Sequence, residues 1–546
     1  MKLSPNAEKI THENPDELIA DQDFLLLEMA KILEQKDVAL EQKDDIIEKK
    51  SEVIAQLKKR IDLLQEIVNL SRARQFGKSS EKHSGQGELF DEAELCSDEI
   101  DKFIEEHQPE DKKPTKKKSG GRKGLSPNLP RTQQFHYLSD EEKAGAIDTF
   151  IVKVKEELDI VPAKAQVIEH MQEKAVFPDK KDTNNNRIKA AELPKHPLGK
   201  CIATANLLAH IIISKYADGL PLYRLENILK RYGGEITRTS MANWVIRLRK
   251  QLQPLINLLR EYQLAYDYLN MDETRIKVLK ETGYSPSSHK WMWVTRGGPP
   301  EKLVILFDYR VTRDQTVPDD LLEGFTGYLQ ADGYASYECV AKKQKLTLLG
   351  CWDHSRRKFV DAEKAAGKPK KGKGPKTVPK YAVALSHIRK LYAIENKIKE
   401  LPPTQRYLER QKHSIPVLEK FKAWLGANIS KVPKGTKTHT AIQYTLNQWP
   451  KLIRYCDDGR LNISNVAAEN AIRPFVIGRK GWLFADTPQG AHASATHYSL
   501  IESAKANGVE PFAYYAWLLE KLPYAETVED YEKLLPWNFK KLASDQ

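Results

Sequence analysis

The sequence predicts a multidomain α+β chain: an N-terminal coiled coil, a small α/β module, a helix-turn-helix-like helical region, and a mixed α/β catalytic domain with a helical insertion. Three observations lead there. An apolar residue recurs every seventh position from Leu26 to Val68. From Tyr266 onward, short β-patterned runs alternate with helical ones. Three acids, Asp272, Asp332 and Glu469, stand at points in that second pattern where a carboxylate is costly unless something compensates it. At 546 residues the chain is long enough for several domains.

The first 82 residues are expected to form a helix and a basic loop. Leu26, Leu33, Leu40, Ile47, Ile54, Ile61 and Val68 occupy one heptad position, the mark of a coiled-coil seam. The partner position (Met29, Lys36, Lys43, Lys50, Leu57, Leu64) is apolar only at its ends, so a single long solvated helix is the competing reading. Residues 83–130 form an acidic stretch and then a Lys-rich linker, KKPTKKKSGGRKG. Residues 131–200 alternate like a small module of two or three strands.

Residues 201–263 turn helical. LPLYRLENILKRYGGEITRTSMANWVIRLRK reads as helix, Gly-Gly turn, helix, with Thr237 or Thr239 as cap. As a helix-turn-helix it would present Arg238, Thr239, Ser240, Asn243 and Arg247 to DNA; as an ordinary helix pair it would be core.

Residues 264–498 carry the predicted catalytic domain. Three strands (AYDYLNMDETRIKVL, KWMWVTRGG, KLVILFDYR), a helix, a fourth strand (GYLQADGY), another helix and a fifth strand (KLTLLGCWDH) suggest a mixed sheet. A helical insertion is expected over about 361–458, and a C-terminal helical element over 499–546. In an RNase H-like sheet the first and fourth strands are neighbours, so Asp272 and Asp332 would end side by side. The helix after the insertion would bring Glu469. Such a cage of hard oxygen ligands suits Mg²⁺ or Mn²⁺, two per active site, and phosphodiester chemistry. Glu273 is expected on the opposite strand face, Asp308 on an edge strand, and Asp353 beside His354, which it could orient. Glu469 and Arg473 share a helix face; that fits a helix ion pair or an arginine beside a phosphate.

Lys and Arg number 87 against 75 Asp and Glu, a net charge of +12, which favours nucleic acid as partner. The five cysteines form no CxxC pair and read as reduced thiols. A polar start and the lack of a long apolar run predict neither a signal peptide nor a membrane span, hence a cytoplasmic protein.

The chain resembles a transposase of the insertion-sequence-66 family of bacterial mobile elements. The resemblance rests on RARQFGKSSEK with GELFDEAE, GRKGLSPNLPR, KYADGLPLYRLENILKRYGGEITRTSMANWV, MDET, LQADGYASYE, GCWDHSRRKF, DGRLNISNVAAENAIRPFVIGRKGWLF and SLIESAKANGVEPFAYYAWLLEKLP. It implies an RNase H-like DDE domain with Asp272, Asp332 and Glu469 as catalytic and metal-binding triad. It also implies DNA cleavage at the ends of an element and strand transfer into target DNA. Expected partners are double-stranded DNA (terminal repeats and target), further copies of the chain, and small accessory proteins of the element, at the bacterial nucleoid. Arg356, Arg357, Arg473, Arg479 and Lys480 join Arg238, Thr239, Asn243 and Arg247 as candidate DNA contacts. A DNA-binding protein derived from a transposase but without cutting is the alternative; a structure-specific nuclease on the same fold is a third reading. The family's small module carries two cysteine pairs for zinc. Here Lys153–Glu156 and Phe177–Lys181 offer no thiol, so no zinc is expected between 131 and 200.

Overall fold

A computed structural model describes residues 26–38, scattered positions of 43–64, short stretches between 131 and 190, and then 191–366 and 378–539. These divide into two compact units. One takes in 82–353, 392–411 and 450–546; the other takes in the N-terminal 81 residues with 354–391 and 412–449.

The first unit opens with an antiparallel hairpin, β1 (Lys174–Pro178) and β2 (Asn186–Ala190). Residues 151–153, within the stretch expected to alternate like strands, are not in one; most positions where zinc ligands were expected to be missing lie outside the described residues. Then come α1 (Ala205–Tyr216), α2 (Leu222–Arg231) and the long α3 (Arg238–Leu264). Gly233 sits at φ +87°, where a side chain would be strained, and turns the chain between α2 and α3. Thr237 caps α3, its side chain accepting from Ser240 N at 3.2 Å. Met241, Trp244, Val245 and Leu248 point inward from α3, as 3.6-residue periodicity demands.

A five-stranded sheet follows, with β3 (Tyr268–Lys277), β4 (His289–Gly297), β5 (Val304–Arg310), β6 (Tyr328–Gln330) and β7 (Thr347–Leu349) in the order β5-β4-β3-β6-β7. The first three strands are antiparallel; β6 runs parallel to β3, and β7 parallel to β6. Helices α4 (Thr316–Leu321) and α5 (Ala335–Lys343) make the crossovers that parallel pairing requires. Their apolar sides close a core with Leu269, Met271, Trp293 and Tyr337. Helix α6 (Trp352–Ala366) leaves β7.

The second unit is helical. Parts of α6, α7 (Lys380–Ile398), α8 (Ile415–Ile429) and α9 (Lys437–Leu452) bury Phe359, Ile388, Phe421, Leu425 and Ile442. His387 stacks on Phe421 with centroids 5.0 Å apart, and Trp449 meets the same ring edge-on. Of the N-terminal heptad stripe, Leu26, Leu33, Ile47, Ile54 and Ile61 are described, all more than half exposed; Leu40 and Val68 lie outside the described residues.

Back in the first unit, α10 (Val466–Trp482) and α11 (Pro488–Ala506) cover the other face of the sheet. Helix α11 runs through position 499, where the sequence reading placed a boundary. It solves the problem of the edge strand β5, whose outer backbone groups would otherwise be buried unpaired. Ser499 Oγ accepts from Phe307 N (2.8 Å), Ser503 Oγ accepts from Ile305 N (2.9 Å), and Asn507 Oδ1 accepts from Leu303 N (3.1 Å). The four-residue spacing of these polar side chains makes them one helix face against one strand edge. Among the described residues no helix is long and apolar enough to cross a membrane.

Candidate active site

The parallel pairing of β3 and β6 sets the site. Register matches Asn270 to Gln330. Asp272 stands two residues further along β3 and Asp332 two residues past the end of β6, so the pairing brings the two carboxylates within reach of each other's charge. Both are locally fixed: Asp272 Oδ1 accepts from Glu273 N (2.8 Å), and Asp332 Oδ1 accepts from Tyr334 N (2.9 Å).

Glu469 arrives on the first turn of α10. It is buried, with 3% of its surface exposed. An anionic side chain at a helix N-terminus is favoured by the helix dipole. What points that terminus at the strands is Asn465, one turn upstream. Its Nδ2 donates to Met271 O (3.0 Å), its Oδ1 accepts from Asn270 Nδ2 (3.1 Å), and its N donates to Cys351 Sγ (3.2 Å). Asn270 Nδ2 also donates to Gln330 Oε1 (3.0 Å), which accepts from Tyr268 OH (2.5 Å); Gln330 Nε2 donates to Asn462 O (2.8 Å). Such a satisfied buried polar network holds one arrangement of strand, strand and helix.

Like charges and burial shape the electrostatics. Burial first, then the charges of Glu273, Glu469 and Asp332, hold the Asp272 carboxyl well above the usual carboxylate range. Glu273 is raised by burial and by Asp332, with Arg313 opposing. The Glu273 carboxylate is bound by the Arg313 guanidinium and by Tyr337 OH. Arg313 also lies 3.8 Å from Asp332 Oδ2 and packs on the Tyr334 ring. Glu273 therefore anchors an arginine beside Asp332.

Asp272, Asp332 and Glu469 offer only hard oxygen donors, and the first is penalised by its neighbours' charge. That donor set fits a divalent cation of the Mg²⁺ or Mn²⁺ type, which would relieve the repulsion. A carboxylate oxygen of Glu469 also lies within 4.8 Å of Cys351 Sγ.

The competing acids have other partners. Asp308 pairs with Arg260, and Asp353 accepts from Tyr392 OH at 2.6 Å. Of the candidate DNA contacts, Arg238, Thr239 and Asn243 are exposed on α3. Arg247 is exposed too, but its guanidinium donates to Leu198 O at 2.8 Å, a link within the fold. Arg473 is half-buried on α10, one turn beyond Glu469, and Lys480 is exposed. Burial pushes the Arg479 guanidinium down to about 10. Arg356 and Arg357 are half-buried and belong to the helical unit. Trp482 packs edge-on against Phe475, while Phe484 is exposed.

Sequence reasoning missed Asn465, Arg313 and the Asn270–Gln330 pair. Asn465 had a faint signal, an amide four residues before the acid; the others had none.

A family model described as "Transposase IS66 family" matches residues 200–493, more than half of the chain. One described as "IS66 C-terminal element" matches 499–537. A third, "Transposase C of IS166 homeodomain", matches 63–133, nearly all outside the described residues. The chain is similar to the uncharacterized protein y4qI of Sinorhizobium fredii (strain NBRC 101917 / NGR234), with 31% identity over 438 residues, 77% of each chain. It is also similar to the uncharacterized protein y4jD of that organism, 29% identical over 76% of this chain and 81% of the relative.

Proposed function

Because the chain belongs to the IS66 family of transposases, we propose that it cuts DNA at the ends of a mobile element and joins the freed ends to target DNA. Asp272, Asp332 and Glu469 are the acidic triad of this DDE reaction. The observation that carries the reading is the convergence of Asp272, in the middle of β3, and Asp332, just past the end of the parallel strand β6, with a first-turn helix carboxylate whose charge reaches Asp272. The order of the strands, with the first beside the fourth, supports an RNase H-like catalytic domain.

The three carboxylates would hold two Mg²⁺ or Mn²⁺ ions, which when bound supply the positive charge that stabilises the attacking and leaving oxygens of a phosphodiester. The chain's own contribution is position. The β3–β6 pairing brings the two aspartates together, Asn465 aims the helix that carries Glu469, and Arg313 balances the charge of Glu273 and Asp332.

Arg238, Thr239 and Asn243, exposed on α3, and the 63–133 region that matches the homeodomain model would bind double-stranded DNA at the bacterial nucleoid. Two element ends must be held together, and the exposed stripe of Leu26, Leu33, Ile47, Ile54 and Ile61 supplies a coiled-coil surface for a second copy.

One experiment tests both parts. Full-length protein incubated with Mg²⁺ and DNA carrying the element's two ends is expected to nick at those ends and to form a paired-end complex. The chain starting at Ser71 is expected to keep most single-end nicking and to lose the paired complex. Absence of any metal-dependent cut at the ends rejects the reaction; an intact paired complex from the shortened chain rejects the coiled-coil role.

A further inference from the structure

One face of the sheet is covered only in part. Alternate residues of a strand share a face. Along β3, Met271 is buried under α5 and Glu273 is held by Arg313 and Tyr337, but beyond them Arg275 and Lys277 are exposed. The register extends this patch across the sheet. Arg275 lies opposite Trp291 and Lys277 opposite His289 on β4; Trp291 in turn lies opposite Arg310 on β5. The Arg275 guanidinium sits 5.6 Å from the Trp291 ring centroid and that of Arg313 5.0 Å, so the indole is flanked by two cations. Partial burial, then the charges of Arg275, Lys277, Arg479 and Lys290, push the His289 imidazole below its ordinary value. The acids nearby are few: Glu273 is taken by Arg313, and Asp320 lies 4.0 Å from Arg310. Five neighbouring positions on an open sheet surface thus carry cations or an aromatic ring.

We propose that this open sheet face, built on Arg275, Lys277, His289, Trp291 and Arg310, is a second DNA surface that grips the phosphates of a duplex. The inference rests on the reading of the chain as a protein that cuts DNA. Neighbouring residues of a strand alternate between faces, so Asp272 turns to the other side of β3, and this surface holds a stretch of duplex apart from the phosphate at the carboxylates. Contacts of this kind set register and affinity without reading bases.

The test uses the full-length chain in a D272N background, so that no DNA is cut during the measurement. R275E/K277E and the milder R275Q/K277Q are compared with D272N alone. Each is titrated by anisotropy against a fluorescein-labelled duplex of ~30 base pairs at several salt concentrations. Reversal is expected to weaken binding at least tenfold. It should also reduce the slope of log affinity against log salt by about 2, since each phosphate contact contributes about 0.9. The neutral pair should fall between. Unchanged affinity and slope in both variants would overturn the proposal. So would a change in sedimentation without a change in DNA affinity, which would mark the face as a protein interface. Failure of the wild-type chain to cut DNA would reject the proposed reaction and leave this titration to be read on its own.

Discussion

Replacing Asp272 by Asn is expected to abolish metal-dependent DNA cleavage, a loss of ~10³-fold or more, because several kcal/mol of transition-state stabilisation depends on the cations the triad would hold. D332N and E469Q should behave alike. Duplex affinity should stay within about twofold, since the proposed phosphate contacts lie elsewhere. A second effect separates this account from a general loss of structure. Asp272 is set among Glu273, Glu469 and Asp332, and burial and their charges disfavour its ionised form. Asparagine keeps the shape and removes the charge. In buffer free of divalent cations, D272N is therefore expected to melt ~2–4 °C above the wild type, the shift that about 1 kcal/mol produces in a domain of this size. Functional sites commonly carry such a stability cost. A D272N protein that melts lower than wild type without cations, or that still cuts, contradicts the assignment.

The largest stability effect is expected at Arg410. Its side chain is fully buried, and all five of its N–H bonds are used. Nε donates to Glu395 Oε1 (2.9 Å) and one terminal nitrogen donates to Glu395 Oε2 (2.6 Å) and Leu461 O (2.9 Å). The other terminal nitrogen donates to Tyr455 O (2.7 Å) and Asp458 O (2.9 Å). One guanidinium thus gathers the loop that leads to Asn465 and Glu469. The loop has little slack: a Cβ on Gly459 would lie 1.7 Å from Pro403 O. Arg410→Met leaves Glu395 and three carbonyls without that donor, at a cost of about 3–5 kcal/mol. The melting temperature should fall by ~10 °C. Lysine should not rescue it, because an ammonium cannot reproduce the planar five-donor fork. A thermal scan of R410M within ~2 °C of wild type would show that the loop is held by other means.

The elements of the sheet were legible because each is a short β-patterned run between turn residues, and the residues that alternate in sequence alternate in space. Asp272 and Asp332 were singled out for the same reason: a carboxylate that closes an apolar run is conspicuous. The partners that fix them were not legible. Arg313 lies 40 residues from Glu273, and Asn465 lies 195 residues from Asn270. Nothing in a local pattern reports a hydrogen bond closed over such a distance. Ser499, Ser503 and Asn507 show a subtler failure. Polar residues on a buried helix face weaken the amphipathic signal, yet here they are the groups that satisfy an edge strand. Arg247 was singled out for its place on an exposed helix, and its bond to Leu198 O could be seen only in three dimensions.

The central claim is that Asp272, Asp332 and Glu469 form one site for divalent cations. The most direct test is a Mn²⁺ titration of the full-length chain, followed by electron paramagnetic resonance of the free ion, for wild type and for E469Q. The account predicts up to two bound Mn²⁺ per wild-type chain, the pair a two-metal site holds. For E469Q it predicts at least one ion lost or weakened tenfold or more, ~1.4 kcal/mol, with the fold intact. Equal Mn²⁺ binding by the two proteins would place Glu469 outside the site and contradict the account.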